Sequence, residues 1–150
     1  MVSTALAVLL AVGAARAAPR RGNLILPGRA VGPVVLGMTA QQVVRQLGSP
    51  AGAARVQAGA KLSWPGRGLT VRLDQDGRVD AVFVESPEYR TAEGVGVGST
   101  REEVLAAFGP TSHAQEDRTV LILAYPALGI SFAIPKDRQR VELVMVYRPR

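Results

Sequence analysis

The sequence predicts an α+β fold in which two tandem helix-β-β-β modules form an antiparallel sheet packed on short helices. Two observations lead to this prediction. The chain repeats itself at an offset of 61 residues, and within each copy the apolar residues change from a helical period to alternation. No gap is needed across residues 34–73 of the first copy. The matches fall on positions that backbone geometry or burial dictates: Gly37 and Gly98, Thr39 and Thr100, Val43 and Val104, Trp64 and Tyr125, Pro65 and Pro126.

The repeat and the N-terminal composition divide the chain into four parts. Residues 1–17 are expected to be a signal peptide, 18–31 an N-terminal segment, 32–86 the first module and 87–150 the second. The apolar residues 5–12 are too short to span a bilayer, and the small residues that follow them end in a cleavage pattern at Ala17. We therefore expect an exported protein, periplasmic or secreted, that is cleaved near Ala17 and has no transmembrane segment. Because no Lys or Arg precedes the apolar run, a buried N-terminal helix is the alternative.

A short helix is predicted at the start of each module. The segments TAQQVVRQLG and TREEVLAAFG each place apolar residues on one face and end at a glycine. Gln42 follows Thr39 by three positions, and Glu103 follows Thr100 at the same spacing. This spacing predicts a capping box at both helix starts.

Three strands are predicted after each helix. The first is AKLSW in one module and VLILAY in the other, and the second alternates over residues 69–73 and 130–134. DQDG and PKDR are the expected hairpin turns before the third strands, RVDAVFVES and RVELVMVYR. Because the third strands carry apolar residues on both faces, we expect them inside the sheet rather than at its edge.

Composition narrows the classes of function. The chain has no cysteine, which excludes disulfides, thiol catalysis and zinc-cysteine sites. The net charge of +6 invites a nucleic-acid interpretation, but the arginines are scattered and no basic stripe is interleaved with aromatic residues. We expect no nucleic-acid partner.

The glycine-rich segment GVGVGSTREEVL is interpreted as the start of a helix rather than as a nucleotide-binding loop. A Walker loop requires Gly where Glu93 stands and Lys where Ser99 stands, and a dinucleotide fingerprint also requires Gly at Ser99. The first copy keeps only the last glycine and the threonine of this turn. The free N–H groups at the start of this helix make Ser99 and Thr100 a candidate weak anion site, which Arg90 would line.

No constellation for catalysis or metal binding is found in the sequence. His113 is the sole histidine and lies in the polar segment PTSHAQEDR, where we interpret it as a solvated loop residue. The segment DQDGRVD lacks ligands that a calcium loop needs, and no nucleophile-elbow motif is present. We expect no cofactor, no metal and no enzyme activity.

Aromatic and arginine residues supply the candidate interface. Trp64 and Tyr125 occupy matching positions in the two copies, where such residues usually fasten a strand end to the core. The alternative is that they lie exposed on the sheet with Arg67, Arg72 and Tyr89. Since Trp, Tyr and Arg are enriched in binding hot spots, these five are the candidate interface residues.

The helix motif also carries a family resemblance. It stands as GMTAQQVVRQLGSP in the first copy and as GSTREEVLAAFGP in the second. This pattern resembles the superfamily that contains β-lactamase inhibitory protein and the outer-membrane-assembly lipoproteins of the SmpA/OmlA (BamE) type, over about residues 32–147. The resemblance implies an exported bacterial protein that recognises another protein without catalysis. It does not extend to β-lactamase inhibition or to a lipid anchor, because the inhibitor's disulfides and the lipidated cysteine are absent.

These observations favour an exported, non-catalytic protein-binding module whose partner is another envelope or extracellular protein. One alternative is a periplasmic binder of a small anionic ligand, which the basic charge and the glycine-rich helix start support. The other is a structural role as an envelope accessory protein.

Overall fold

The structure, a computed structural model, describes residues 21–150 and is mostly β. The predicted signal peptide lies outside the described residues. The first half contains β1 (Ile25–Leu26), β2 (Ala30–Val31), β3 (Val34–Val35), α1 (Ala40–Leu47), β4 (Gly52–Val56), β5 (Gly59–Trp64), β6 (Leu69–Leu73) and β7 (Val79–Val84). The second half contains α2 (Arg101–Phe108), β8 (His113–Glu116), β9 (Val120–Tyr125), β10 (Ile130–Pro135) and β11 (Leu143–Tyr147).

The prediction of two helix-β-β-β modules is wrong. Four strands follow each helix, and all eight join one antiparallel sheet in the order β4-β5-β6-β7-β11-β10-β9-β8. The strands that the prediction lacks, β4 and β8, are the two edges of this sheet. Their segments GAARV and HAQE consist mainly of small and polar residues that are mostly exposed. Neither segment therefore carries the apolar alternation that marks a strand in sequence.

A separate three-stranded sheet, β1-β2-β3, precedes the first helix and is a further element that the sequence pattern does not predict. Each of its strands has only two residues. Val31 pairs with Val34 across the predicted boundary between residues 18–31 and the first module. Backbone hydrogen bonds also join this sheet to the second half, because the Gly28 N–H donates to the Gly129 carbonyl at 3.1 Å. The small sheet thus connects both halves of the chain.

The middle of the large sheet is the pairing of β7 with β11. Val84 lies opposite Val144, and Val82 lies opposite Val146. These are the third strands of the sequence analysis, and they lie inside the sheet as their apolar residues on both faces indicate. The two halves therefore share one hydrogen-bonded ladder.

The core lies between one face of the large sheet and the two helices, and we call this the helix-covered face. Alternate residues of its central strands are fully buried: Val71, Val82, Phe132 and Val144. Val43 of α1 and Val104 of α2 belong to the same cluster. Burying each such side chain stabilises the fold by roughly 1.5–3 kcal/mol. The helix-covered face therefore stabilises the fold and is not available to a partner.

Both helices begin at the predicted threonine. Thr39 Oγ1 accepts a hydrogen bond from the Gln42 N–H at 3.3 Å, and Gln42 Oε1 accepts one from the Thr39 N–H at 2.9 Å, which completes a capping box. In α2, Thr100 Oγ1 accepts from the Glu103 N–H at 3.2 Å. Within residues 21–150, neither helix is long and apolar enough to cross a membrane.

Candidate interaction surface

One face of the eight-stranded sheet carries no helix from residues 21–150, and we call it the open face. Cross-strand register places Phe83 between Thr70 and Met145, and Tyr147 beside Ala81, on the side that points away from the core. Phe83, Met145 and Tyr147 neither belong to the core cluster nor pack against it. The central residues of the open face are Lys61, Thr70, Arg72, Ala81, Phe83, Ser131, Ala133, Leu143, Met145 and Tyr147.

The centre of the open face is apolar. Phe83, Leu143 and Met145 come from the neighbouring strands β7 and β11, and each is partly buried and partly exposed. The solvated face of an antiparallel sheet is normally polar. Three large apolar side chains in the middle of such a face therefore indicate a surface that would be stabilised by being covered.

A shallow groove runs along one side of this apolar centre, and we call it the arginine groove. It consists of two adjoining depressions of about 240 Å³ and about 250 Å³ that share Arg72, Tyr147 and Arg150 as walls. The remaining lining residues are Ala81, Phe83, Pro126 and Met145 in the first depression, and Asp74, Asp80, Arg148 and Pro149 in the second. The groove thus combines an apolar floor with a charged rim.

The carboxylates of the arginine groove are already engaged within the protein. Arg72 Nε donates to Asp80 Oδ1 at 2.8 Å, and both side chains are partly exposed. Asp74 Oδ1 accepts hydrogen bonds from two backbone N–H groups of its own hairpin turn, at 2.9 and 3.0 Å. Arg148 and Arg150 are exposed, and their guanidinium groups form no hydrogen bond or ion pair with any residue that the structure describes. The groove therefore presents solvent-exposed guanidinium groups that a ligand can reach.

Two residues of the groove floor, Tyr147 and Phe83, make contacts within the sheet. The Tyr147 hydroxyl lies 2.8 Å from Ser131 Oγ and donates to the Ile130 carbonyl at 3.3 Å, which holds the ring against the sheet. The Lys61 ammonium lies 5.2 Å from the centroid of the Phe83 ring. An exposed cation–π contact of this kind contributes only about 0.5–1 kcal/mol, so a partner could displace Lys61 at little cost.

A larger depression, of about 760 Å³, lies at the far end of β9 and β10 and is a weaker candidate. Its lining contains two cationic and two anionic side chains, and two of these four pair with residues outside the lining. Lys136 pairs with Glu116 at 2.8 Å, and Glu142 pairs with Arg138 at 2.6 Å. Arg118 also lines this depression, far from the open-face centre in strand order.

The structure places the predicted aromatic interface residues in the core rather than on a surface. Trp64 is 5% exposed and Tyr125 is 7% exposed. Trp64 Nε1 donates to the Gly48 carbonyl at 3.0 Å, and the Tyr125 hydroxyl donates to the Gly109 carbonyl at 2.8 Å. Both bonds satisfy a carbonyl at the end of a helix. These residues fasten strand ends to the helix ends, which is the first of the two interpretations given above.

Tyr89, Arg67 and Arg72 do not join them on one surface. Tyr89 is also buried, and burial raises its pKa above the ordinary value of 10.0, while the nearby Arg67 guanidinium acts in the opposite direction. Arg67 is exposed in the turn after Trp64. Arg72 lies on the open face, opposite Lys61. Of the five predicted residues, only Arg72 contributes to the arginine groove.

Ser99 and Thr100, the candidate anion site, are engaged in internal hydrogen bonds. Ser99 is fully buried, and its Oγ accepts from the Gly96 N–H at 3.0 Å. Thr100 caps α2, and the first turn of that helix carries the acidic Glu102 and Glu103. Arg90 donates to the carbonyls of the same loop. These contacts shape the loop, and the acidic first turn opposes anion binding.

His113 lies at the exposed edge of the sheet, on β8, rather than in a loop. Its Nδ1 lies 3.2 Å from Ser112 Oγ, and both residues are exposed. Among the described residues, no group of three His, Cys, Asp or Glu side chains is placed to hold a metal ion.

No family model and no curated protein sequence matches the chain, but solved structures do. The chain is similar to the uncharacterized protein YfeY from Escherichia coli, with a TM-score of 0.57 and 13% identity over 82% of this chain and 99% of that one. It is similar to the DUF4309 family protein YjgB from Bacillus subtilis, with a TM-score of 0.58 and 17% identity over 81% of this chain and 88% of that one. An extracellular SCP-domain protein from Bacillus anthracis matches with a TM-score of 0.55 and 9% identity, over 75% of this chain and 44% of that one.

At these identities the likeness shows the fold alone. This fold occurs in small bacterial proteins, and in the last case as part of an extracellular protein. None of the three carries the name of β-lactamase inhibitory protein or BamE, so that resemblance stays a prediction.

Sequence reasoning missed the residues that form the candidate surface: Phe83, Leu143, Met145, Tyr147 and Arg150. One signal for them was present. The third strands are apolar on both faces, and only one of those faces is needed for the core.

Proposed function

We propose that this chain is an exported, non-catalytic protein-binding module that docks another envelope or extracellular protein on its open face. One observation carries the proposal: Phe83, Leu143 and Met145 form an apolar centre on a sheet face that neither α1 nor α2 covers. Export rests on the signal-peptide pattern of residues 1–17.

The surface supports recognition better than catalysis. The open face offers apolar side chains, a tyrosine held by Ser131 and exposed arginines, which are the residue types of protein interfaces. The sole histidine lies on the edge strand β8, and the register of the sheet separates β8 from the central pair β7 and β11 by two strands.

The alternative function is binding of a small anionic ligand, and the arginine groove favours it. Arg72 and Arg150 flank a depression of about 240 Å³, slightly below the usual size of small-molecule pockets. The groove is shallow and open to solvent, whereas small-ligand sites usually enclose most of the ligand's surface. A protein partner therefore fits this geometry better.

Site-specific photo-crosslinking in cells of the native host tests the proposal. A photoreactive phenylalanine analogue replaces Phe83 in the full-length chain, and the matched control carries it at Gln46, which is exposed on α1. We expect a discrete adduct from position 83 and none from position 46. The crosslinked protein is then purified, and its affinity for the wild type is compared with that for Met145→Lys, which should bind at least tenfold more weakly.

Three results would overturn the proposal. Position 83 would form no adduct with any protein, positions 83 and 46 would give the same adducts, or the adduct would join two copies of this chain. The last result would assign the open face to self-association. Circular dichroism of the Met145→Lys variant establishes that it remains folded.

A further inference from the structure

We infer that the open face recognises an extended acidic peptide segment in which carboxylate side chains flank an aromatic or aliphatic one. This inference rests on the proposed function and names the chemistry of its partner. It is carried by the juxtaposition of an apolar floor, Phe83 and Met145, with the guanidinium groups of Arg72, Arg148 and Arg150.

The cationic rim favours an anionic partner. Arg148 and Arg150 have no side-chain partner among the described residues, and only the Nε of Arg72 is engaged, by Asp80. The two terminal nitrogens of Arg72 therefore keep their N–H donors available. Guanidinium groups pair with carboxylates through two parallel hydrogen bonds, which gives geometric selectivity in addition to charge.

The apolar floor requires that the anion carry an apolar group beside it. Phe83, Met145 and Ala81 line the same depression as Arg72 and Arg150. A fully hydrated polyanion would leave this floor uncovered. In an extended segment, successive side chains point to opposite faces, so acidic residues two positions on either side of an aromatic residue share its face and place one side chain on the floor and two at the rim.

The length of the groove fits a peptide rather than a single residue. Its walls come from β6, β7 and β11 and from Arg150 beyond β11. With neighbouring strands about 4.8 Å apart, β6 to β11 spans roughly 10 Å, and Arg150 lies beyond β11, so the groove matches about three to five extended residues.

Methyl NMR and binding titrations of the full chain with defined probes test this inference. The probes are four: the capped peptide Gly-Asp-Gly-Phe-Gly-Asp-Gly, the same peptide with Asn for both Asp, the same peptide with Gly for Phe, and phenylacetate. Met145 reports on the groove, and Met38, which packs against the core near α1, serves as the internal reference.

We expect the peptide that carries both Asp residues and Phe to shift the Met145 methyl resonance saturably and to leave Met38 unchanged. The Asn peptide and the peptide without Phe should each bind about tenfold more weakly, because each lacks one of the two complementary features. Arg150→Gln and Arg72→Gln should weaken binding by a similar factor. Arg118→Gln, which removes the same charge from the far depression, should leave it unchanged.

Each contrary outcome has a distinct meaning. Equal binding of the Asp and Asn peptides would overturn the acidic preference and leave docking on the open face standing. Phenylacetate binding as tightly as the peptide would overturn the peptide inference and assign the groove to a small anionic ligand. An equal loss in Arg118→Gln would show unselective attraction to net charge. Only the crosslinking experiment at position 83 would overturn the proposed function itself.

Discussion

Replacing Tyr125 with Phe should destabilise the whole eight-stranded sheet, including the half in which Tyr125 does not lie. The substitution removes the hydroxyl that donates to the Gly109 carbonyl at 2.8 Å. It keeps the ring, whose centroid lies 5.4 Å from that of Phe108 and 6.3 Å from that of Phe132. No cavity is created, so the loss is confined to one hydrogen bond.

The expected loss in the free energy of unfolding is about 1 kcal/mol, the usual contribution of one such bond. With a urea dependence of about 2 kcal/mol per molar for a domain of this size, the midpoint of unfolding should fall by about 0.5 M. The slope of the transition should not change, because the surface exposed on unfolding is the same.

Trp64 provides the assay. It is the only tryptophan of the chain, it is buried, and it lies on β5, in the opposite half of the sheet from Tyr125. If β7 and β11 join the halves into one cooperative unit, Trp64 fluorescence and far-ultraviolet circular dichroism should show the same shifted midpoint. A shift by circular dichroism with an unmoved Trp64 transition would refute this reasoning, because the halves would then unfold separately.

Three further predictions follow from local geometry. Thr39→Ala should lower the free energy of unfolding by about 1 kcal/mol, measured by urea denaturation, because it removes the cap of α1. Gly129→Ala should lower the melting temperature more than Gly77→Ala does. Both glycines have a positive φ of 72°, so the backbone strain of the two substitutions is similar. A Cβ at Gly129 would lie 2.2 Å from a backbone carbonyl oxygen, whereas a Cβ at Gly77 would meet nothing within 4 Å. Burial raises the pKa of Tyr89 and of Tyr125 above 10.0, so the folded state holds protons that the unfolded state releases. The stabilisation is complete below that value and is lost as pH rises through the folded pKa values, so urea midpoints should fall above pH 10 and should fall less in Tyr125→Phe.

The helix starts could be predicted because their cause is local, and the 61-residue offset pairs Trp64 with Tyr125 without deciding between a core and an interface role. A threonine followed three residues later by a hydrogen-bonding side chain specifies a capped helix wherever the chain leads next. Trp64 and Tyr125 stand at matching positions of the 61-residue offset, and each donates to the glycine carbonyl that ends its helix. Arg78 and Arg140 likewise each donate to the carbonyl of the glycine before a helix, at 3.0 and 2.9 Å.

The edge strands could not be predicted because their cause is not local. A strand at an edge is held by hydrogen bonds from one neighbour and needs no apolar face. Ala54 of β4 pairs with Lys61, and Gln115 of β8 pairs with Ile122, in ladders that depend on β5 and β9 already being in place. The sequences of β4 and β8 do not show a hydrophobic period, so hydrophobic periodicity predicts three strands in each half where the structure has four.

The two faces of β7 serve different purposes, one in folding and the other in the proposed binding. Main-chain hydrogen bonds hold β7 in the sheet whatever covers its faces, and Val82 and Val84 fill the core on one side. The fold makes no use of an aromatic ring on the other side, where a polar residue such as Thr70 on the neighbouring strand serves equally well. Phe83 is partly exposed and packs against neither α1 nor α2, so the burial of its ring is left incomplete by the fold. We therefore attribute Val82 and Val84 to folding and Phe83, between them, to binding.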